Sequence, residues 1–232
     1  VIGHGTGEEN MPIDAGPRFL VRDWEIAQSA TRRPVKITVP GPLTIGDFVV
    51  DAYYHDDARA RGAAIADALN VEIRRLADAG CPVVQVDEPA FTRHVEDALA
   101  FGAEHRVVHV CCGYPAALDA NDHGKAPNEA YFELAEVLDE VAIDAVSIED
   151  AHRPNDLALL ERFARKKVIL GVIDVARSRI EEVEEVRDRL RAGLEHIDPH
   201  RLLAAPDCGL GLLGRDLARA KLEVLVEAAH SL

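Results

Sequence analysis

The sequence predicts an α/β fold built on a parallel sheet. Short Val- and Ile-rich runs recur along the chain, they alternate with longer segments of helical periodicity, and polar residues of a few chemical types follow the runs. The runs are Val35 to Val39, Val83 to Val86, Val107 to Val110, Ala145 to Ile148, Val168 to Val172 and Leu202 to Ala205. Each is short and continuously apolar, as strands are when both faces are covered.

The helical segments carry their own signals. From Asp57 to Ala79, Ile65, Leu69, Ile73 and Leu76 fall on one face, and Gly80 stands where a helix cap belongs. Asn128 is placed to cap a helix bearing Tyr131, Leu134 and Leu138. Arg179 to His196 repeats Val183, Val186, Leu190 and Leu194, and Arg215 to His230 turns Leu217, Leu225 and Ala228 inward. The pairs Glu181-Glu182 and Glu184-Glu185 read as the solvated face of a helix start, where negative charge is favoured. Six such strands fit an open doubly wound sheet or most of an eight-stranded barrel, with about two βα units then missing from the front. The link from Ala98 to Val107 is short for a helix end, a loop and a strand entry, which an omitted loop near His105 and Arg106 would explain.

Composition narrows the function classes. The 232 residues carry 26 Lys plus Arg against 41 Asp plus Glu, a net charge of −15, which argues against a duplex nucleic-acid binder or a membrane-surface protein. No stretch approaches the ~18 consecutive apolar residues of a membrane span. Val1 to Asn10 lacks a signal-peptide pattern, so a soluble, cytoplasmic protein is expected, with a homo-oligomer left open. One catalytic domain over residues 1–232 is expected; the first residue is Val and Met11 is the single Met, so its start is expected to be missing. Four cysteines, with Cys111 and Cys112 adjacent, suit metal binding or catalysis better than a disulfide framework. Phosphate-loop and dinucleotide fingerprints are absent, and His4-Gly5-Thr6-Gly7 is only a faint echo of one.

The chemistry sits after the apolar runs: Asp87-Glu88, His109-Val110-Cys111, Glu149-Asp150, Asp174 and Asp207-Cys208. In parallel α/β folds this end of the strands carries the active site. His109 and Cys111 stand two apart and share a strand face, a bidentate metal platform, although alone they also fit a hydrogen-bonded core histidine and a small apolar filler. Glu149 follows Val146-Ser147-Ile148, and a carboxylate there needs a cation, either a metal or Arg153. Adding Cys208 gives an imidazole, two thiolates and a carboxylate, a set suited to tetrahedral Zn²⁺. Cys81, at a strand entry, and Cys112, opposite to Cys111, read as structural, and His55, His94 and His230 as ordinary surface residues.

Five segments together resemble the C-terminal catalytic barrel of the cobalamin-independent methionine synthase family: Pro34-Val35-Lys36 leading to Gly41-Pro42-Leu43-Thr44-Ile45, Val86-Asp87-Glu88-Pro89-Ala90, His109-Val110-Cys111, Ser147-Ile148-Glu149 and Pro206-Asp207-Cys208-Gly209-Leu210. The resemblance implies a TIM (β/α)8 barrel, with the first one or two βα units missing from this chain. It implies His109, Cys111, Glu149 and Cys208 as ligands of a catalytic Zn²⁺ that holds the thiol of homocysteine as a thiolate for methylation to methionine. Asp87 would hold the amino group of homocysteine.

The departures from the family pattern bear on the methyl donor. Gly171-Val172-Ile173-Asp174-Val175-Ala176 has Ala176 where the family has a proton-delivering His, and Phe48 falls where the family has a folate-lining Trp. The family's N-terminal half is expected to be absent from this chain. A short, single-barrel relative is therefore expected, methylating its thiol from methyltetrahydrofolate or from a methylated corrinoid or corrinoid protein. Asp174 would replace the missing proton donor if its surroundings raised its pKa. Arg153 and Arg177 would receive a carboxylate or sulfonate, or else form salt bridges. Alkylation of coenzyme M, as in epoxyalkane:coenzyme M transferase, is the alternative within enzymes, and a non-catalytic zinc-binding barrel subunit the alternative outside them.

Overall fold

The computed structural model describes residues 13, 14, 16, 20–55, 57–89, 106–121 and 123–232. Six strands, β1 (Lys36–Pro40), β2 (Val83–Asp87), β3 (Arg106–Val110), β4 (Ala145–Ile148), β5 (Lys167–Ile173) and β6 (Leu202–Pro206), pair in parallel in the order β1-β2-β3-β4-β5-β6. A doubly wound sheet reverses its strand order partway, whereas sequential addition of neighbours is how a (β/α)8 barrel is laid down. The α/β class and its barrel topology thus follow the expectation, and the doubly wound alternative falls. Among the described residues β1 and β6 are the two edges.

Around the sheet lie α1 (Leu20–Ser29), α2 (Pro42–Phe48), α3 (Ala58–Asp78), α4 (Glu129–Glu140), α5 (Val183–Leu194) and α6 (Arg215–His230). They pack on one side of it. Trp24 of α1 and Ile73 and Leu76 of α3 cover Val84 and Val86, and a larger cluster joins Val108, Val110, Val146, Ile148, Val168, Leu170 and Val172 to Tyr131, Leu134, Val186, Leu190 and Leu225. Because side chains alternate along a strand, Gln85, Asp87, His109, Cys111, Ser147 and Glu149 belong to the other face. No helix among the described residues is long and apolar enough to cross a membrane.

Several local expectations need correction. Asn128 makes no side-chain cap to α4; its amide donates instead to the carbonyl of Pro154 at 3.5 Å. The segment before α5 does not present both of its glutamates to water. Glu181 is buried and pairs with Lys221, itself fully buried in α6, at 2.9 Å, while Glu182, Glu184 and Glu185 are exposed. Between β4 and β5 the chain forms a 3-10 helix, Leu157–Arg162. The His4 to Gly7 stretch, Met11, His94 and the link from Ala98 to His105 lie outside the described residues.

One packing arrangement fixes the loop after β1. Glu88, just past β2, has no exposed surface and accepts hydrogen bonds from the backbone N–H of Leu43 (3.0 Å) and Thr44 (2.9 Å) and from the Thr44 hydroxyl (2.7 Å). It therefore satisfies free amides at the start of α2, where negative charge is favoured. A Cβ at Gly41 would lie 2.1 Å from the Glu88 carboxyl, so the turn into α2 has no room for a side chain.

Candidate metal centre

Strand register assembles the centre. Asp87 pairs with His109 across β2 and β3, and His109 with Ser147 across β3 and β4, which sets three polar side chains in one row. His109 Nδ1 is 2.9 Å from the Ser147 hydroxyl, while its Nε2 is buried with no hydrogen-bond partner among the described residues. A buried imidazole nitrogen left without a partner is costly unless something else uses its lone pair. Cys111, one step further along the face of His109, and Cys208, two residues past β6, supply it with company. One ligand atom from each of His109, Cys111 and Cys208 lies within 4.8 Å of the others.

The electrostatics of the cluster are those of a cation site. The hydrogen bond between Cys111 and Cys208 pulls the Cys208 thiol down to about 4, with His109 helping, and together with burial pushes Cys111 far up. Burial would lower His109, but Cys208, Asp87 and Glu149 outweigh it and raise it. One imidazole and two sulfurs with a carboxylate near by are the donor set that Zn²⁺ prefers, and the second nitrogen of His109 is oriented by Ser147 as metal-bound histidines require. The residues therefore fit the metal.

Glu149, the fourth expected ligand, stands outside this three-residue cluster. It is fully buried, and its Oε2 accepts from Lys125 Nζ at 2.6 Å. Its Oε1 accepts from the Tyr131 hydroxyl at 3.1 Å and from the Cys112 backbone N–H at 3.3 Å, with Arg153 Nη2 at 4.0 Å. Burial would raise its carboxyl, but Lys125 above all and the nearby phenols hold it below the usual range. Sequence reasoning considered Arg153 as its cation and missed Lys125, which lies in a loop with no periodicity to mark it.

Asp87 accepts from Gln85 Nε2 at 2.7 Å, and Gln85 in turn accepts from Lys36 at 2.5 Å. Burial pushes the Asp87 carboxyl up, against the pull of His109 and Gln85. Asp207, beside Cys208, accepts the backbone N–H groups of Asp150, Ala151 and His152 at 2.9, 2.9 and 2.7 Å; burial still takes its carboxyl up to about 8. Asp207 thereby ties the loop after β4 to the end of β6. Gly171 makes this approach feasible, since a Cβ there would lie 2.4 Å from Asp207 Oδ1.

The remaining predicted residues fall around this centre. Asp174 receives the His152 ring and the backbone N–H of Ala176 (2.8 Å). His152 stacks edge-on with Tyr114 at 5.5 Å, and Tyr114, three residues past Cys111, has its hydroxyl buried near Glu149 and Asp207. His152 was not singled out from the sequence, although it lies three positions past Glu149. Arg153 donates to the Ala126 carbonyl and to Cys112 Sγ at 3.4 Å, and Arg177 to the Asp119 carbonyl at 3.0 Å and to Asn121 at 2.5 Å. Both arginines thus serve internal contacts. Phe48 ends α2 with 85% of its surface exposed.

Comparison with known proteins agrees with this geometry. Residues 15–231 match the family model described as the cobalamin-independent synthase catalytic domain. A methionine synthase of Pyrococcus horikoshii is 31% identical over 225 residues, covering 92% of this chain and 62% of that protein. The chain therefore spans about three-fifths of the length of such curated relatives. Among solved structures, a B12-independent methionine synthase from Shewanella sp. W3-18-1 in complex with selenomethionine superposes with a TM-score of 0.81 at 30% identity, covering 93% of this chain and 67% of that one. A putative vitamin-B12 independent methionine synthase from Listeria monocytogenes shares the fold, with a TM-score of 0.66 at 20% identity, covering 96% of this chain and 72% of that one. With a family match running almost end to end and a catalytic-face cluster of His109, Cys111 and Cys208, this chain belongs to the cobalamin-independent methionine synthase family, in its catalytic domain.

Proposed function

We propose that this chain is a single catalytic domain that activates a thiol, homocysteine, for methyl transfer to give methionine. The observation that carries the reading is the convergence of His109, Cys111 and Cys208 within 4.8 Å on the face away from the helices. Together with Glu149 these residues would hold Zn²⁺, which when bound lowers the pKa of a thiol so that it is present as a nucleophilic thiolate at neutral pH. The Shewanella relative was solved in complex with selenomethionine, the selenium counterpart of the proposed product, which supports methionine chemistry for this chain.

The chain's own residues divide the remaining tasks. Asp87, next to His109 in the strand row, receives the amino group of the substrate. His152, held by Asp174, carries the proton that the thiol gives up, so that Asp174 acts through the imidazole instead of replacing the family's missing histidine itself. Phe48 offers an exposed ring to the methyl donor, methyltetrahydrofolate or a methylated corrinoid.

The deciding experiment is zinc stoichiometry followed by X-ray absorption at the zinc edge while homocysteine or coenzyme M is titrated in. One zinc per chain that gains a sulfur ligand from homocysteine alone is the expected result. Gain of sulfur from coenzyme M instead would replace the substrate assignment, and a zinc indifferent to both thiols would favour a non-catalytic role. Supplying methyltetrahydrofolate and methylcobalamin separately then identifies the donor by methionine formed.

A further inference from the structure

Glu149 has a buried receptor of its own, built from three separate segments. Lys125 comes from the loop before α4, Tyr131 from the first turn of α4 and the Cys112 N–H from the residues just past β3, and all three donate to the one carboxylate, at 2.6, 3.1 and 3.3 Å. The Lys125 side chain is 8% exposed and Glu149 fully buried. The ammonium also lies 4.3 Å from the centre of the Tyr114 ring, whose face favours a cation. A buried ion pair of this kind gains little net stability over apolar packing, so stability alone does not account for it.

Charge balance gives it a purpose. A dication bound by two thiolates, an imidazole and a carboxylate leaves one net negative charge in a buried site, and the Lys125 ammonium cancels it. If a substrate thiol entered, its proton would leave to His152, a metal–sulfur bond would form and the metal–oxygen bond to Glu149 would break. The freed carboxylate is then a second buried anion, and it needs a partner already in place.

We propose that Lys125, with Tyr131 and the Cys112 N–H, is the docking position that Glu149 takes when a thiolate displaces it, and that Lys125 thereby sets how easily the fourth ligand exchanges. Lys125 is a positioning residue in this account, which rests on the zinc-thiolate reading above.

The test uses the full chain with zinc and the substitutions Lys125→Met and Lys125→Arg. Competition with a chromophoric chelator measures zinc affinity, and zinc-edge absorption measures sulfur uptake against homocysteine concentration. Lys125→Met is expected to bind zinc about tenfold tighter and to need about tenfold more homocysteine for the third sulfur, the scale on which partners of metal ligands act. Lys125→Arg restores both values towards those of the parent. Tyr131→Phe, a smaller change, shifts both in the direction of Lys125→Met and stands in for it should Lys125→Met not fold. A folded Lys125→Met with parental zinc affinity and parental sulfur uptake overturns the proposal. A parent protein that binds no zinc, or gains no sulfur, overturns the underlying reading and this inference with it, so the two failures are told apart by the parent alone.

Discussion

His152 Nδ1 lies 3.1 and 3.0 Å from the two carboxylate oxygens of Asp174, which orients the imidazole. Both partners are held from behind. Asp207 accepts the His152 backbone N–H, and the Asp174 backbone donates to Glu181 (3.0 Å) and accepts from Lys221 (2.9 Å). His152→Gln and Asp174→Asn are each expected to lower methyl transfer by about 100-fold, the usual contribution of a positioned acid–base group. Zinc content should stay at the parental level, so the check is activity and metal stoichiometry on the same preparations.

Cys208 is expected to be the reactive thiol of the metal-depleted protein. Its thiol is held down to about 4 by Cys111 and His109, whereas burial raises Cys81. A depressed value means the thiolate persists as pH falls, so alkylation by iodoacetamide should stay fast from about pH 8 to about pH 5 and fall only as pH approaches about 4. Peptide mapping after short labelling, with zinc as a protectant, checks the order of reactivity.

Gly171→Ala should destabilise the protein by about 1–3 kcal/mol or more, because the new methyl would meet Asp207 Cα at 2.7 Å and the Ile148 carbonyl at 3.0 Å, both backbone atoms that cannot rotate away. Gly209→Ala, where an added Cβ meets nothing within 4 Å, is the matched control. Urea denaturation of the pair measures the difference.

Lys221→Met should cost about 3–5 kcal/mol, since it leaves the Glu181 carboxylate buried without its cation. Removing the second charge as well, with Lys221→Met and Glu181→Gln combined, should recover part of the loss. Chemical denaturation of the single and double variants tests the coupling.

The sheet was the most legible part of the sequence, because continuous Val and Ile runs have few other uses; Ala145–Ile148 and the helix Arg215–His230 have the bounds the sequence suggested. Residues at strand ends inherit a position from the strand, which is why His109, Cys111 and Cys208 were recognisable together. Lys125, Glu181, Lys221 and His152 were not, because their roles depend on distant partners. Lys221 sits in α6 among alternating apolar and polar residues and looks like any solvated lysine until α6 packs against the loop holding Glu181. The exposed-face reading of Glu181 failed for the same reason. Loops fold around the sheet's pattern without writing a pattern of their own.

Cys111 and Cys208 come from opposite ends of a four-strand stretch, with β4 and β5 hydrogen-bonded between β3 and β6. A nascent chain stalled before β6 possesses His109 and Cys111 yet lacks Cys208, so capture of an ion by these three residues would be deferred until β6 has zipped onto β5. Loading with metal would then act as a latch on assembly, tying a long stretch of chain across the sheet and making loss of β6 and loss of the ion a single event.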